Sequence, residues 1–268
     1  LSVAQMAADL DHPERVVGFH FFNPVAVMSL VEIVRGPSTD QETLATSFAI
    51  AKTLKKNAVL VKDATGFVVN RLLLRLLAEI FAAVDEGTPV EVADAALRPL
   101  GFPMSPYILL QLVGPAVTLH VLENLHDAFG DRFPVSRNLR ALVASERPGI
   151  YDWPPDGEPY VSEETAKLFK VGNQPSTAEQ ARERVLNALA EEIGLMLAEE
   201  VVAAPMDIDL CLILGAGWPF HLGGITPLTV DMTKEPPIDG LWISLGKFIC
   251  NPGRGKAWIE IKNDDSDG

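Results

Sequence analysis

Two short apolar runs, set close together, open the readable pattern of this chain. Residues 16–22 (Val-Val-Gly-Phe-His-Phe-Phe) and 29–35 (Ser-Leu-Val-Glu-Ile-Val-Arg) have the length and the β-branched and aromatic content of buried strands. A parallel crossover needs about a dozen residues or more, and the connection here is shorter, so the two are predicted to run antiparallel. A connection symmetric about Ala26 pairs position 20 with position 32. His20 and Glu32 then face each other with Cβ atoms about 5 Å apart. A slip of one residue would send them to opposite faces.

Further along, Asp40 is placed as the N-cap of a helical run ending near Lys56, and residues 57–62 return as a strand. This β–β–α–β order reads as the closing portion of an α/β domain, a remnant of a Rossmann-type domain followed by mostly α-helical structure. Asp63-Ala64-Thr65-Gly66 punctuates the chain, with Thr65 as the expected cap of the next helix. From Phe67 to Val84 apolar residues come too densely for one stripe. Such a helix is buried on most sides, either at the centre of a helical domain or at a subunit interface. Gly87-Thr88-Pro89 ends it.

A weak internal repeat follows. Residues 92–103 (VADAALRPLGFP) and 208–219 (IDLCLILGAGWP) each run from a helix-like segment into Gly-aromatic-Pro. Each is preceded by a long Leu/Ala-rich helix, 67–86 and 178–200, which predicts two similar helical units. Between them residues 148–175, rich in Pro, Gly and Glu, form a linker or an embracing loop. The predicted organisation is therefore 1–63, 64–147, 148–175 and 176–231, with an unassigned tail at 232–268. The tail carries strand-like pieces at 241–245 and 257–261 and a turn at 251–256 that lacks the Walker spacing.

Composition narrows the classes of function. A formal charge of −14 argues against a nucleic-acid partner, since phosphate binding needs clustered Lys and Arg. It leaves room for an anionic small ligand at a local basic patch. With 48% apolar but only 7% aromatic residues, a helix-rich soluble protein is expected. Cys211 and Cys250 give neither a disulfide framework nor metal-ligand spacing, so a reducing, cytoplasmic setting is expected. No signal peptide is legible at the N-terminus. Residues 210–230 lack formal charge but contain four glycines and two prolines. They read as a buried helix and a Gly/Pro turn rather than a membrane span.

The chemistry concentrates at His20 and Glu32. A histidine can take the proton of a secondary alcohol while a hydride leaves the same carbon. A carboxylate bonded to its other ring nitrogen fixes the tautomer. The bland alternative is a core histidine beside a surface glutamate. His120 and His126 do not share a helix face as metal ligands would, and no metal site is expected. His221, alone among apolar neighbours, reads as a core histidine.

Three blocks carry a family resemblance. Gly18-Phe19-His20-Phe21-Phe22-Asn23-Pro24-Val25 with Leu30-Val31-Glu32 is similar to the catalytic segment of the 3-hydroxyacyl-CoA dehydrogenases. Lys62-Asp63-x-x-Gly66-Phe67-Val68-Val69-Asn70-Arg71 resembles the junction where that family's helical domain begins. Gly101-Phe102-Pro103-Met104-x-Pro106 with Leu112-Val113-Gly114 resembles its later signature. The second copy around Gly217-Trp218-Pro219 resembles the extra helical unit of multifunctional fatty-acid-oxidation proteins.

The resemblance implies NAD-dependent oxidation of 3-hydroxyacyl-CoA to 3-ketoacyl-CoA. His20 would be the general base, Glu32 its orienting partner, and Asn70 a holder of the substrate oxygen. Asn70 otherwise reads as a helix N-terminal residue bonding nearby backbone. Arg71 and Arg75, one turn apart, would either meet CoA phosphates or lie on a solvated helix face. The implied partners are an acyl-CoA substrate and a second copy of the chain or a multifunctional β-oxidation complex.

Two departures stand out. The family's GxGxxG strand–turn–helix unit, which cradles the NAD pyrophosphate, is absent from the sequence, and Gly215-Ala216-Gly217 is no substitute. The family's catalytic serine is expected just upstream of Leu1, so Ser2 falls slightly too late. The expectation is a chain that starts inside the dinucleotide-binding domain. A non-catalytic helical module for dimerisation or assembly is the alternative.

Overall fold

A computed structural model describes residues 2–170 and 172–229. The tail at 232–268, with its strand-like pieces, its turn and Cys250, lies outside the described residues.

The first elements are a short helix α1 (Val3–Ala7), strands β1 (Gly18–Phe21) and β2 (Leu30–Arg35), helix α2 (Gln41–Thr53) and strand β3 (Asn57–Lys62). The strands form one sheet in the order β1-β2-β3. β1 and β2 are antiparallel, in a register that sets His20 opposite Glu32. β2 and β3 run parallel, as the helical crossover between them requires. Asp40 caps α2, its carboxylate accepting from the Thr43 amide at 2.7 Å.

Alternation along the strands divides the sheet into two faces. Val31 and Ile33 turn toward Leu44 and Ala51 of α2, with Phe19 and Phe21 beside them. Leu30 and Val34 join the larger core shared with the helices. Glu32 alternates with Val31 and Ile33 and so points to this second side, as a charged residue in an apolar layer.

The chain continues with α3 (Val69–Glu86), α4 (Val90–Ala95), α5 (Pro106–Val113), α6 (Pro115–Phe129), α7 (Arg137–Ala144), the hairpin β4 (Tyr151–Asp152) and β5 (Tyr160–Val161), α8 (Glu163–Leu168), α9 (Ala178–Ala198) and α10 (Pro205–Ala216). A single turn, α11 (Thr226–Thr229), closes the described part. α3 is the hub. α4, α6, α7, α9 and α10 all pack against it, α9 most extensively. Its dense apolar surface is thus covered within the chain and does not require a second copy.

The segment after residue 148 is ordered against the rest. Gly172 and Gln174 donate backbone hydrogen bonds to Asp85 and Glu86 at the end of α3 (2.9 and 2.8 Å). The Tyr151 hydroxyl reaches Asp94 at 2.6 Å. The two Gly-aromatic-Pro turns meet directly: Phe102 and Trp218 stack edge to face with centroids 4.8 Å apart. No single helix among the described residues is long and apolar enough to cross a membrane.

Candidate active site

The site forms where β1, β2 and the start of α3 converge. His20 Nδ1 lies 2.6 Å from Glu32 Oε2. The Glu32 side chain is fully buried, so the surface-glutamate alternative does not hold. Burying a carboxylate is costly unless it is paired and hydrogen-bonded, and here both oxygens are engaged. Oε1 accepts from the amides of Val68 and Val69 at 3.2 and 3.0 Å. These are among the unpaired N–H groups that open α3, at the positive end of its dipole. The expected cap, Thr65, makes no such bond. A carboxylate from a distant strand has taken its place, because the sheet brings Glu32 up against the helix end.

In a neutral imidazole that donates Nδ1–H to the carboxylate, Nε2 keeps its lone pair. It makes no hydrogen bond to the described residues, and the imidazole is about a quarter exposed (26%). Two rings bracket it: Phe22 edge-on at 4.7 Å and Phe67 tilted at 5.3 Å. The arrangement leaves one ring nitrogen anchored and the other open.

Asn70 lies in the first turn of α3, half-buried. Its side chain makes no hydrogen bond to the described residues, so the backbone-bonding alternative is not what the structure shows. Ser2 caps α1 through the Gln5 amide and donates to Asp63 Oδ2 at 2.6 Å.

Arg71 and Arg75 occupy neither of their expected places. Arg71 is fully buried and Arg75 nearly so. Arg71 Nε donates to Glu192 at 2.6 Å, and its terminal nitrogens reach Glu199 at 2.7 and 3.2 Å. Its guanidinium lies over the Phe129 ring at 4.2 Å. Arg75 bonds Glu79, which also receives Arg184. For Arg71 the reason is α9, which lies along α3 and brings Glu192 and Glu199 to it; Arg75 is paired one turn along α3 itself, with Arg184 of α9 completing the cluster. His221 is also corrected. It sits on an exposed 3-10 turn rather than in the core. His126 bonds the Phe133 carbonyl and His120 the Asn124 side chain. Among the described residues no cluster of His, Cys, Asp or Glu is arranged to hold a metal. Cys211 is buried, and desolvation pushes its thiol well above the usual range.

The starts of α2 and α3 offer no seat for an NAD pyrophosphate. Such a group needs free amides at a helix N-terminus. At α3 the amides of Val68 and Val69 already serve Glu32, and at α2 the Thr43 amide serves Asp40 beside Glu42. The glycines at 215–217 lie at the C-terminal end of α10, the negative end of its dipole. Gly217 takes the left-handed cap conformation (φ +69°). Gly215 permits close packing, since a Cβ there would lie 2.6 Å from Leu30 Cδ2.

Residues 1–64 match the profile of the 3-hydroxyacyl-CoA dehydrogenase NAD binding domain. Residues 66–150 match that of the 3-hydroxyacyl-CoA dehydrogenase C-terminal domain. A fatty acid oxidation complex subunit alpha from Idiomarina loihiensis is 34% identical over 232 residues, covering 84% of this chain and 33% of that protein. The chain thus spans about a third of the length of that curated relative. The crystal structure of 3-hydroxybutyryl-CoA dehydrogenase from Escherichia coli matches with a TM-score of 0.68 over 82% of this chain and 64% of that one. At 23% identity it shows the fold alone. The dehydrogenase part of multifunctional enzyme 1 from C. elegans matches with a TM-score of 0.52 at 26% identity, over 84% of this chain and 54% of that one.

Proposed function

The chain belongs to the 3-hydroxyacyl-CoA dehydrogenase family, and on that footing we propose that it carries the proton-transfer half of 3-hydroxyacyl-CoA oxidation. His20 accepts the hydroxyl proton at Nε2 and returns it when the ketone is reduced. Glu32 keeps the Nδ1–H tautomer and stabilises the imidazolium. Asn70 holds the substrate oxygen. In this family the hydride goes to NAD. The roles assigned here concern only the proton and the substrate. The observation that carries the reading is the 2.6 Å contact between His20 and a carboxylate anchored at the start of α3.

The test is His20→Gln in the full chain, assayed by NADH reduction of a short 3-ketoacyl-CoA. The expected loss is about 10²–10⁴-fold, the usual worth of a general base. A fall of less than about tenfold, with the fold intact, removes the role. The rival reading is a non-catalytic helical module for dimerisation or assembly. Micromolar NADH binding by this chain defeats the rival. No binding, together with a stable dimer in sedimentation, supports it.

The division at 1–63, 64–147, 148–175 and 176–231 is part of the same proposal. It is supported by the family boundary between residues 64 and 66. The two helical units are proposed as a structural repeat. Gly101 and Gly217 share left-handed φ values of +81° and +69°. Asp94 accepts from the Tyr107 amide near the start of α5, and Asp209 from the Thr226 amide at α11, at 2.7 and 2.9 Å. A cytoplasmic setting, an acyl-CoA substrate, and assembly as a homodimer or within a multifunctional β-oxidation complex complete the proposal. The relatives' names support the multifunctional complex alone.

A further inference from the structure

Four non-glycine residues among those described have a positive φ. Lys55, Glu146 and Glu200 lie just past the ends of α2, α7 and α9, where a left-handed residue commonly closes a helix. Phe67 (φ +46°) is the exception. It stands before α3, directly after Gly66 (φ +78°). For a bulky residue this conformation is an outlier, and such strain persists only where the surroundings hold it in place. A glycine would adopt it freely, so what Phe at this position adds is its ring. That ring lies against the His20 imidazole at 5.3 Å.

The geometry of His20 shows what the ring can do. The Cβ–Cγ bond and the hydrogen bond to Glu32 hold one edge of the imidazole, and packing against its faces decides how firmly the ring keeps that orientation. Phe22 stands directly after the strand that carries His20 and restrains the ring from one direction. Phe67 restrains it from the helical side, and its neighbours Val68 and Val69 hold the Glu32 carboxylate. Residues 66–69 therefore place both the acceptor for Nδ1 and a restraint on the imidazole plane. We infer that Phe67 is a positioning residue: its ring, delivered by a left-handed backbone, fixes the His20 imidazole so that Nδ1 stays on Glu32 and Nε2 faces outward. The inference rests on the proton-transfer role proposed for His20, but it concerns a geometry that is measurable without turnover.

The experiment is imidazole ¹⁵N NMR on the full chain at mildly alkaline pH, where histidines are neutral. The His20 signals are identified by their loss in His20→Gln. A fixed Nδ1–H tautomer gives widely separated ring-nitrogen shifts, whereas a loose ring exchanging tautomers gives converging ones. Phe67→Leu keeps apolar bulk, and Phe67→Gly relieves the backbone. In both the separation is expected to fall by at least half, while the backbone amide spectrum away from the site stays unchanged. Phe67→Tyr, which keeps the ring, is expected to preserve it. An undiminished separation in either folded variant overturns the inference. Failure of both to fold overturns it too, by assigning the ring to the core. A wild-type chain with a fixed tautomer, converging in both variants, but without dehydrogenase turnover, would sink the proposed function and support the positioning role.

Discussion

Glu32 and Val69 are joined by a 3.0 Å hydrogen bond from the helix amide to the carboxylate. This makes the orienting partner of His20 also the cap of the central helix. On the proposed function, chemistry and fold stability share one side chain, and substitutions there are expected to move both.

Glu32→Gln keeps the shape and one acceptor oxygen but loses the charge. It is expected to lower unfolding free energy by about 1–3 kcal/mol, the cost of spoiling buried hydrogen bonds. Glu32→Ala, which also strips the α3 amides of their acceptor, is expected to cost more. Urea unfolding of the two variants gives the ranking, and equal stability to wild type in both would contradict the cap.

Asn70→Ala separates function from stability. The side chain has no partner among the described residues, so the unfolding midpoint is expected to stay within the small range of surface substitutions, about 0.5 kcal/mol. Turnover efficiency is expected to fall by about 10–100-fold if the amide holds the substrate oxygen, the equivalent of about 1–3 kcal/mol. Unchanged kcat/KM would remove Asn70 from the site.

Arg71→Ala leaves the fully buried Glu192 with only Arg132, at 3.1 Å, as a partner among the described residues. Breaking a buried ion pair from one side costs about 3–5 kcal/mol. Replacing the pair together, Arg71→Met with Glu192→Leu, is expected to cost much less than the sum of the single changes. A double-mutant cycle in urea measures the coupling, and strict additivity would show that the pair is not coupled.

The hydrogen bond from Arg71 holds the Glu199 carboxyl below the usual carboxylate range, with the nearby charges of Arg71, Arg132 and Lys62 adding to it. A depressed folded-state pKa gives stability that is fully present above the unfolded value, near 4.5, and lost as pH falls through the folded one. Tm is therefore expected to drop on acidification below the ordinary glutamate range, and Glu199→Gln to flatten that part of the profile. An identical profile in wild type and variant would exclude the linkage.

Two helical glycines give opposite expectations. Gly194, in α9, has open space where a methyl group would stand, with nothing within 4 Å, so Gly194→Ala is expected to stabilise by about 1 kcal/mol through helix propensity. Gly215→Ala would press a methyl 2.6 Å from Leu30 and 3.0 Å from Val69, and is expected to destabilise by about 1–3 kcal/mol. Thermal melts of the pair read the sign directly.

What the sequence determined by itself is local. The short connection about Ala26 and the period-two alternation of the strands were enough to set His20 opposite Glu32, because a hairpin's register depends on residues close in the chain. The Asp40 cap, the α2–β3 crossover and the dense apolar pattern of α3 were legible for the same reason. The buried seat of Arg71 was not. Its carboxylate partner Glu192 lies 121 positions away, and only the docking of α9 along α3 brings them together. The second role of Glu32 at the start of α3, the left-handed Phe67 against the imidazole and the exposed place of His221 are likewise decided by which segments meet in three dimensions. A buried charge is stable only where the packed fold supplies its partners, and no local pattern of residues specifies where those partners will come from.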